Sequence, residues 1–128
     1  EVLYNSLEQE NRTFETERSR AAKVFEAAGG YAPTIGIIGA VLGLIHVMEN
    51  LSDPTKLGSG IAVAFVATIY GVASANLIFL PIAKKMINNM RHEIFLREMI
   101  IEGVLGIQAG RSPFYLREYL SSFLSKEK

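Results

Sequence analysis

Apolar positions fill two stretches of the chain so completely that neither carries a formal charge: residues 27–48 and 57–83, 22 and 27 residues long. A helix needs roughly 20 apolar residues to cross the hydrocarbon core of a bilayer, and helices of soluble domains rarely run so far without a charge. An Asp, Lys or Arg at the centre of a span would cost about 2.5–3.5 kcal/mol on insertion. Both stretches therefore predict membrane-spanning helices. A chain of 128 residues is too short to cover such a pair all round inside a soluble core.

The flanking segments follow a different rhythm. Over residues 1–28, Leu3, Leu7, Phe14, Ala21 and Phe25 stack on one helical face, while Glu8, Arg12, Glu15 and Arg18 fall elsewhere. That pattern predicts an amphipathic helix that packs by its apolar stripe. Gly29-Gly30 and then Pro33 interrupt it, so the chain is expected to bend or restart there. Pro33 reads either as a hinge or as a residue in the first turn of a new helix.

The first span is expected over about 32–50, a turn-rich outside loop over 51–60, and the second span over about 61–83. Gly36, Gly39, Ala40 and Gly43 on the first, and Ala64, Ala67, Gly71 and Ala75 on the second, supply small residues one turn apart. Lipid gives little hydrophobic drive between helices, so close backbone approach is what holds them. These residues are the expected helix-packing faces. Beyond Pro81 and Lys84-Lys85, residues 84–128 read as further helices, with an apolar stripe through Met86, Met90 and Ile94 and a short amphipathic helix opened by Pro113. The predicted class is an all-α membrane protein: an antiparallel two-helix transmembrane hairpin flanked by long amphipathic cytoplasmic helices. The domains are residues 1–28, 29–83 and 84–128.

Charge orients the hairpin. The 13 cations and 13 acids cancel overall, but the loop holds one cation, Lys56, whereas Arg18, Arg20, Lys23, Lys84, Lys85 and Arg91 flank the other ends. Positive residues stay inside, so both ends are expected in the cytoplasm. Nothing in this balance suggests a nucleic-acid partner.

The chemistry is sparse. There is no cysteine, and the two histidines, His46 and His92, lie toward opposite ends of the hairpin. No HExxH, GxSxG or phosphate-binding glycine pattern occurs, so neither an enzyme site nor a resident cofactor or metal is expected. Thr68 and Asn76 are the conspicuous polar groups of the second span, about 80° apart around the helix. A threonine there ordinarily bonds its own backbone four residues back. The Asn76 amide is expected to face another helix or water. Any proton path would need a carboxylate from a partner, because neither span carries one centrally.

The order of features now becomes specific. Ala32-Pro33-Thr34-Ile35-Gly36-Ile37-Ile38-Gly39, Leu51-Ser52-Asp53-Pro54, Leu57-Gly58-Ser59-Gly60-Ile61-Ala62-Val63-Ala64, Thr68-Ile69-Tyr70-Gly71, Ala75-Asn76-Leu77-Ile78-Phe79-Leu80-Pro81-Ile82-Ala83 and Arg97-Glu98-Met99-Ile100-Ile101-Glu102-Gly103 follow one another. This series closely resembles the MotA family of flagellar stator subunits, over roughly residues 25–125; the TolQ and ExbB relatives share the general hairpin.

The resemblance implies the third and fourth spans of a longer subunit of the bacterial inner membrane, assembled as a pentamer around MotB-like helices whose aspartate takes up the ion. It implies coupling of inward ion flow to torque on a FliG-like rotor. Carried over, Pro33 and Pro81 match the family's two coupling prolines, and Thr68 matches the threonine of the ion path. Ala40 stands where sodium-driven members usually have a threonine, which tilts the reading toward protons; Asn76 completes the expected ion-path residues. The rivals are a TolQ- or ExbB-like subunit powering an outer-membrane process and a scaffold that conducts nothing. The chain reads as a piece of a longer protein, with the main rotor-contacting charges outside it.

Overall fold

The structure, a computed structural model, describes residues 1–126, and every regular element among them is helical. The order is α1 (Val2–Glu49), α2 (Pro54–Ser74), a π-helical turn (Ala75–Phe79), α3 (Leu80–Gln108) and α4 (Pro113–Lys126). The chain divides into two compact units, one of Ala21–Met86 and one of Glu1–Arg20 with the chain from Ile87 onward.

The helix does not restart at Gly29-Gly30, and Pro33 stands inside it, not in the first turn of a new one. α1 runs unbroken through both glycines and through Pro33. A free helix end at this point would strand backbone groups in an apolar setting, and continuing the helix avoids that cost. The loop is also shorter than the turn-rich composition of 51–60 suggests: the helices are joined by 50–53 alone. Asn50 N–H donates to Val47 O at 3.0 Å, and its side-chain amide donates to His46 O at 3.0 Å. Asp53, in extended conformation at φ −116° and ψ 101°, caps α2 by accepting from Thr55 N–H at 3.1 Å and from the Thr55 hydroxyl. Pro54 then occupies the first helical position, where its missing N–H costs nothing. With that start in place, Gly58 and Gly60 belong to the helix.

In the unit Ala21–Met86, α1 and α2 lie antiparallel along a seam of small residues. A Cβ on Gly43 would sit 3.2 Å from Ala64 Cβ, one on Gly39 3.1 Å from Ala67 Cβ, and one on Gly36 2.9 Å from Ala67 O. Ala64 and Ala75 are buried, while Ile35, Leu42, Phe65, Ile69 and Tyr70 point outward and are exposed. Buried Ala22, rather than its exposed neighbour Ala21, faces inward in α1. Large apolar side chains outside and small ones within suit lipid and neighbouring helices as solvent.

The other unit holds an aromatic cluster. Phe95 and Phe123 stand 5.7 Å apart between ring centroids, and Tyr119 meets Phe123 edge-on at 5.7 Å. Gly103 and Gly106 let Leu120 and Leu116 of α4 approach α3. The turn between them is a left-handed C-cap: Gly110 has φ 70°, and Arg111 N–H reaches back to Gly106 O at 3.1 Å. Arg97 lies over the Phe14 ring at 3.9 Å, with Glu93 and Glu10 at 3.7 and 3.9 Å.

Candidate functional site

The candidate residues all fall in the hairpin unit, and the seam sorts them. Ala40 and Thr68 each follow a seam residue, Gly39 and Ala67, by one position, or about 100° around the helix. On antiparallel helices the two rotations run in opposite senses when viewed along one axis, so Ala40 and Thr68 share one flank of the seam. Both are half-buried. Asn76 lies about 80° further round than Thr68 and is exposed.

Neither polar side chain reaches across to α1. The Thr68 hydroxyl donates to Ala64 O at 3.3 Å, the intrahelical bond ordinarily expected of it. The exposed Asn76 amide also bonds within its own helix, donating to Val72 O at 2.9 Å. An apolar environment favours this arrangement because a donor without a partner would be costly there. Ser74, which the sequence reading did not single out, likewise donates to Gly71 O at 3.0 Å.

The two prolines differ in setting. Pro33 is half-buried within α1, on the helix that carries the seam. Pro81 is exposed at the second position of α3, directly after the π-helical turn. That turn was not foreseen. Leu80 N–H donates to Ala75 O, five residues back instead of four. Pro81 has no N–H to give Leu77 O in α-helical register, which relieves the ladder of one bond there. A groove of about 390 Å³ opens beside it, lined by Leu77, Ile78, Pro81, Ile82, Lys85 and Met86.

The sequence-derived packing residues are brought together, and the seam extends past them. Gly71 meets Ala32 and Gly36, Gly60 meets Val47, and Gly29 meets Leu80. The signal for Gly29 and Gly60 was their spacing from Gly36 and Ala64; it was masked because a helix break and a loop were expected there.

Two helices of this unit's chain, Val2–Glu49 and Pro54–Gln108, contain windows long and apolar enough to cross a membrane. The MotA/TolQ/ExbB proton channel family matches residues 1–99. This chain belongs to that family. Among curated relatives, the uncharacterized protein YtxD of Bacillus subtilis (strain 168) is 38% identical over 100% of this chain and 47% of its own length. Motility protein A of the same organism is 35% identical over 97% of this chain and 46% of its own. Among solved structures, that of C. jejuni MotAB superposes with a TM-score of 0.87 at 32% identity, covering 93% of this chain and 47% of that one. The chain thus spans about half the length of the relatives it matches. Family membership agrees with the all-α class and with a location in the membrane.

Proposed function

We propose that this chain is the channel-forming hairpin of a flagellar stator subunit, coupling inward proton flow to torque on the rotor. What supports the reading is a hairpin of this family built from two charge-free stretches, whose seam is closed by backbone contact, leaving large apolar residues on its outer surfaces. Those surfaces require further helices or lipid as neighbours. A MotB-like partner would supply the titrating aspartate, since no carboxylate lies centrally in either span. Several copies, five in our reading, would surround it in the inner membrane, with both ends of the chain in the cytoplasm and a FliG-like rotor contacted from there.

In this reading Ala40, Thr68 and Asn76 border the ion path. The Thr68 hydroxyl keeps its lone pairs available while its proton is held by Ala64 O. Protonation of the partner's aspartate removes a buried charge, shifting the subunits around it, and Pro33 and Pro81 carry that movement toward the cytoplasm. The small side chain of Ala40 offers no oxygen to a dehydrated sodium ion, which favours protons.

The test is swimming and cytoplasmic acidification in cells carrying the full-length subunit with its partner. Swimming should persist without sodium, and Ala40→Thr alone should not create sodium dependence. Arrest in sodium-free medium overturns the choice of ion. Deletion that spares swimming but weakens the envelope or siderophore uptake would instead favour a TolQ- or ExbB-like role.

A further inference from the structure

Between the π-helical turn and Met86 the second span has two faces of opposite character. One packs on the hairpin: Leu80 lies against Gly29, and Ala83 is only 2% exposed. The other carries Ile78, Pro81, Ile82 and Lys85, spaced i, i+3, i+4 and i+7, so they share the side of the helix turned away from α1, and all four are exposed. With Leu77 and Met86 they line the groove of about 390 Å³. Pro81 makes its floor, because its short ring stands four residues from both Leu77 and Lys85, whose longer side chains rise on either side. From Leu77 to Lys85 the helix advances about 12 Å, close to the ~15 Å of hydrocarbon in one leaflet of a bilayer. One end of the groove lies within the charge-free stretch 57–83 and the other at Lys84-Lys85.

Charge and packing decide what fills it. Among the described residues neither Lys84 nor Lys85 forms an ion pair, and the nearest acid along the chain is Glu93, eight residues beyond Lys85. A membrane helix seated here would need small residues facing it for close approach, and the small residues of this segment, Ala75 and Ala83, are both already buried. Such a helix would also have to bring an acid for Lys85 or leave that ammonium unpaired. An acyl chain needs neither, since it lies between branched side chains and ends in a headgroup at the level of the lysines.

We propose that this groove is a binding site for an anionic phospholipid, with one acyl chain along Leu77, Ile78, Pro81 and Ile82 and the phosphate on Lys85, assisted by Lys84. The Lys85 stem borders the groove while its ammonium reaches the headgroup. Cations clustered at the end of a span each favour anionic lipid by about fivefold. The site needs the hairpin to lie in a membrane but not to conduct, so it stands apart from the proposed stator function.

The test uses the full-length subunit with its partner in nanodiscs of phosphatidylcholine holding a small fraction of phosphatidylglycerol with a diazirine on one acyl chain. After illumination, peptide mass spectrometry should find the label on residues 77–86, saturating as that fraction rises. Phosphatidylcholine carrying the same diazirine should label them about tenfold less. Lys84→Gln and Lys85→Gln should each lower phosphatidylglycerol labelling about fivefold, and Lys85→Arg should retain it. Ile78→Trp, which fills the groove and leaves both lysines, should move the label off it, so the site is testable even where a lysine variant fails to insert. Equal labelling by the two lipids, unmoved by either lysine variant, would mean ordinary boundary lipid and overturns the site. Label elsewhere on the span but none on 77–86 would mean that a helix covers the groove, which overturns it too. Ion flux is read on the same preparation: specific labelling in a complex that moves no protons supports the lipid site and removes only the stator function.

Discussion

Gly36 and Gly71 are in backbone contact: a Cβ built on Gly71 falls 2.8 Å from Gly36 Cα, and one built on Gly36 falls 3.0 Å from Gly71 Cα. Backbone on both sides leaves no flexible side chain to yield. Gly71→Ala should therefore push α1 and α2 apart and cost about 1–3 kcal/mol, as overpacking does. Gly30→Ala meets nothing within 4 Å and should stabilise the helix by about 0.5–1 kcal/mol. Reversible unfolding in mixed micelles measures both. Equal effects from the two substitutions would mean that this seam does not hold the hairpin.

Thr68→Val preserves shape and removes only the hydroxyl, whose bond to Ala64 O lies within one helix. Assembly should survive. If the hydroxyl helps an ion along the path, flux should fall about tenfold, the equivalent of about 1.4 kcal/mol in the barrier. Proton uptake into vesicles carrying the full complex checks this, and undiminished flux would reduce Thr68 to a packing role.

Arg97 joins three partners: the Phe14 ring at 3.9 Å, Glu93 at 3.7 Å and Glu10 at 3.9 Å. Its side chain is 34% exposed, so the ion pairs are partly screened by water and the stacking on Phe14 is the more durable part. Arg97→Lys keeps the charge and loses the flat guanidinium, and should cost about 1 kcal/mol. In a double-mutant cycle with Phe14→Leu most of that loss should disappear. Thermal unfolding gives the four values needed.

The Thr55 hydroxyl and N–H both donate to Asp53, holding its carboxyl below the usual carboxylate range. The folded form thus binds a proton less well than the unfolded form. The cap's contribution is complete above the ordinary carboxylate value and is lost as pH falls through the lowered folded one. Once the intrinsic slowing of exchange at lower pH is divided out, the protection of the Thr55 and Lys56 amides should fall on acidification in the wild type. In Asp53→Ala it should be low already and lack this pH dependence.

Tyr4 carries a related signature in the unit that contains the N-terminal residues. The negative charge of Glu8, with a hydrogen bond to it, raises the phenol above its ordinary value, with a smaller push from Glu102. Glu8→Gln should bring the phenol back down, as read by its ultraviolet titration.

Much of this architecture was legible in the residues alone. Two charge-free stretches and small residues at helical spacing determine an all-α hairpin and most of its packing face, because hydropathy and period are properties of one segment at a time. The helix start at Pro113 was equally local, whereas glycine and proline content made 51–60 look like a longer loop than 50–53. The tertiary structure alone decided the rest. Whether Gly29-Gly30 breaks a helix depends on the apolar setting that makes a free helix end costly there, and the second span leaves α-helical geometry just before Pro81. Register belongs to two helices together, so no pattern within either one could reveal that Gly29 meets Leu80.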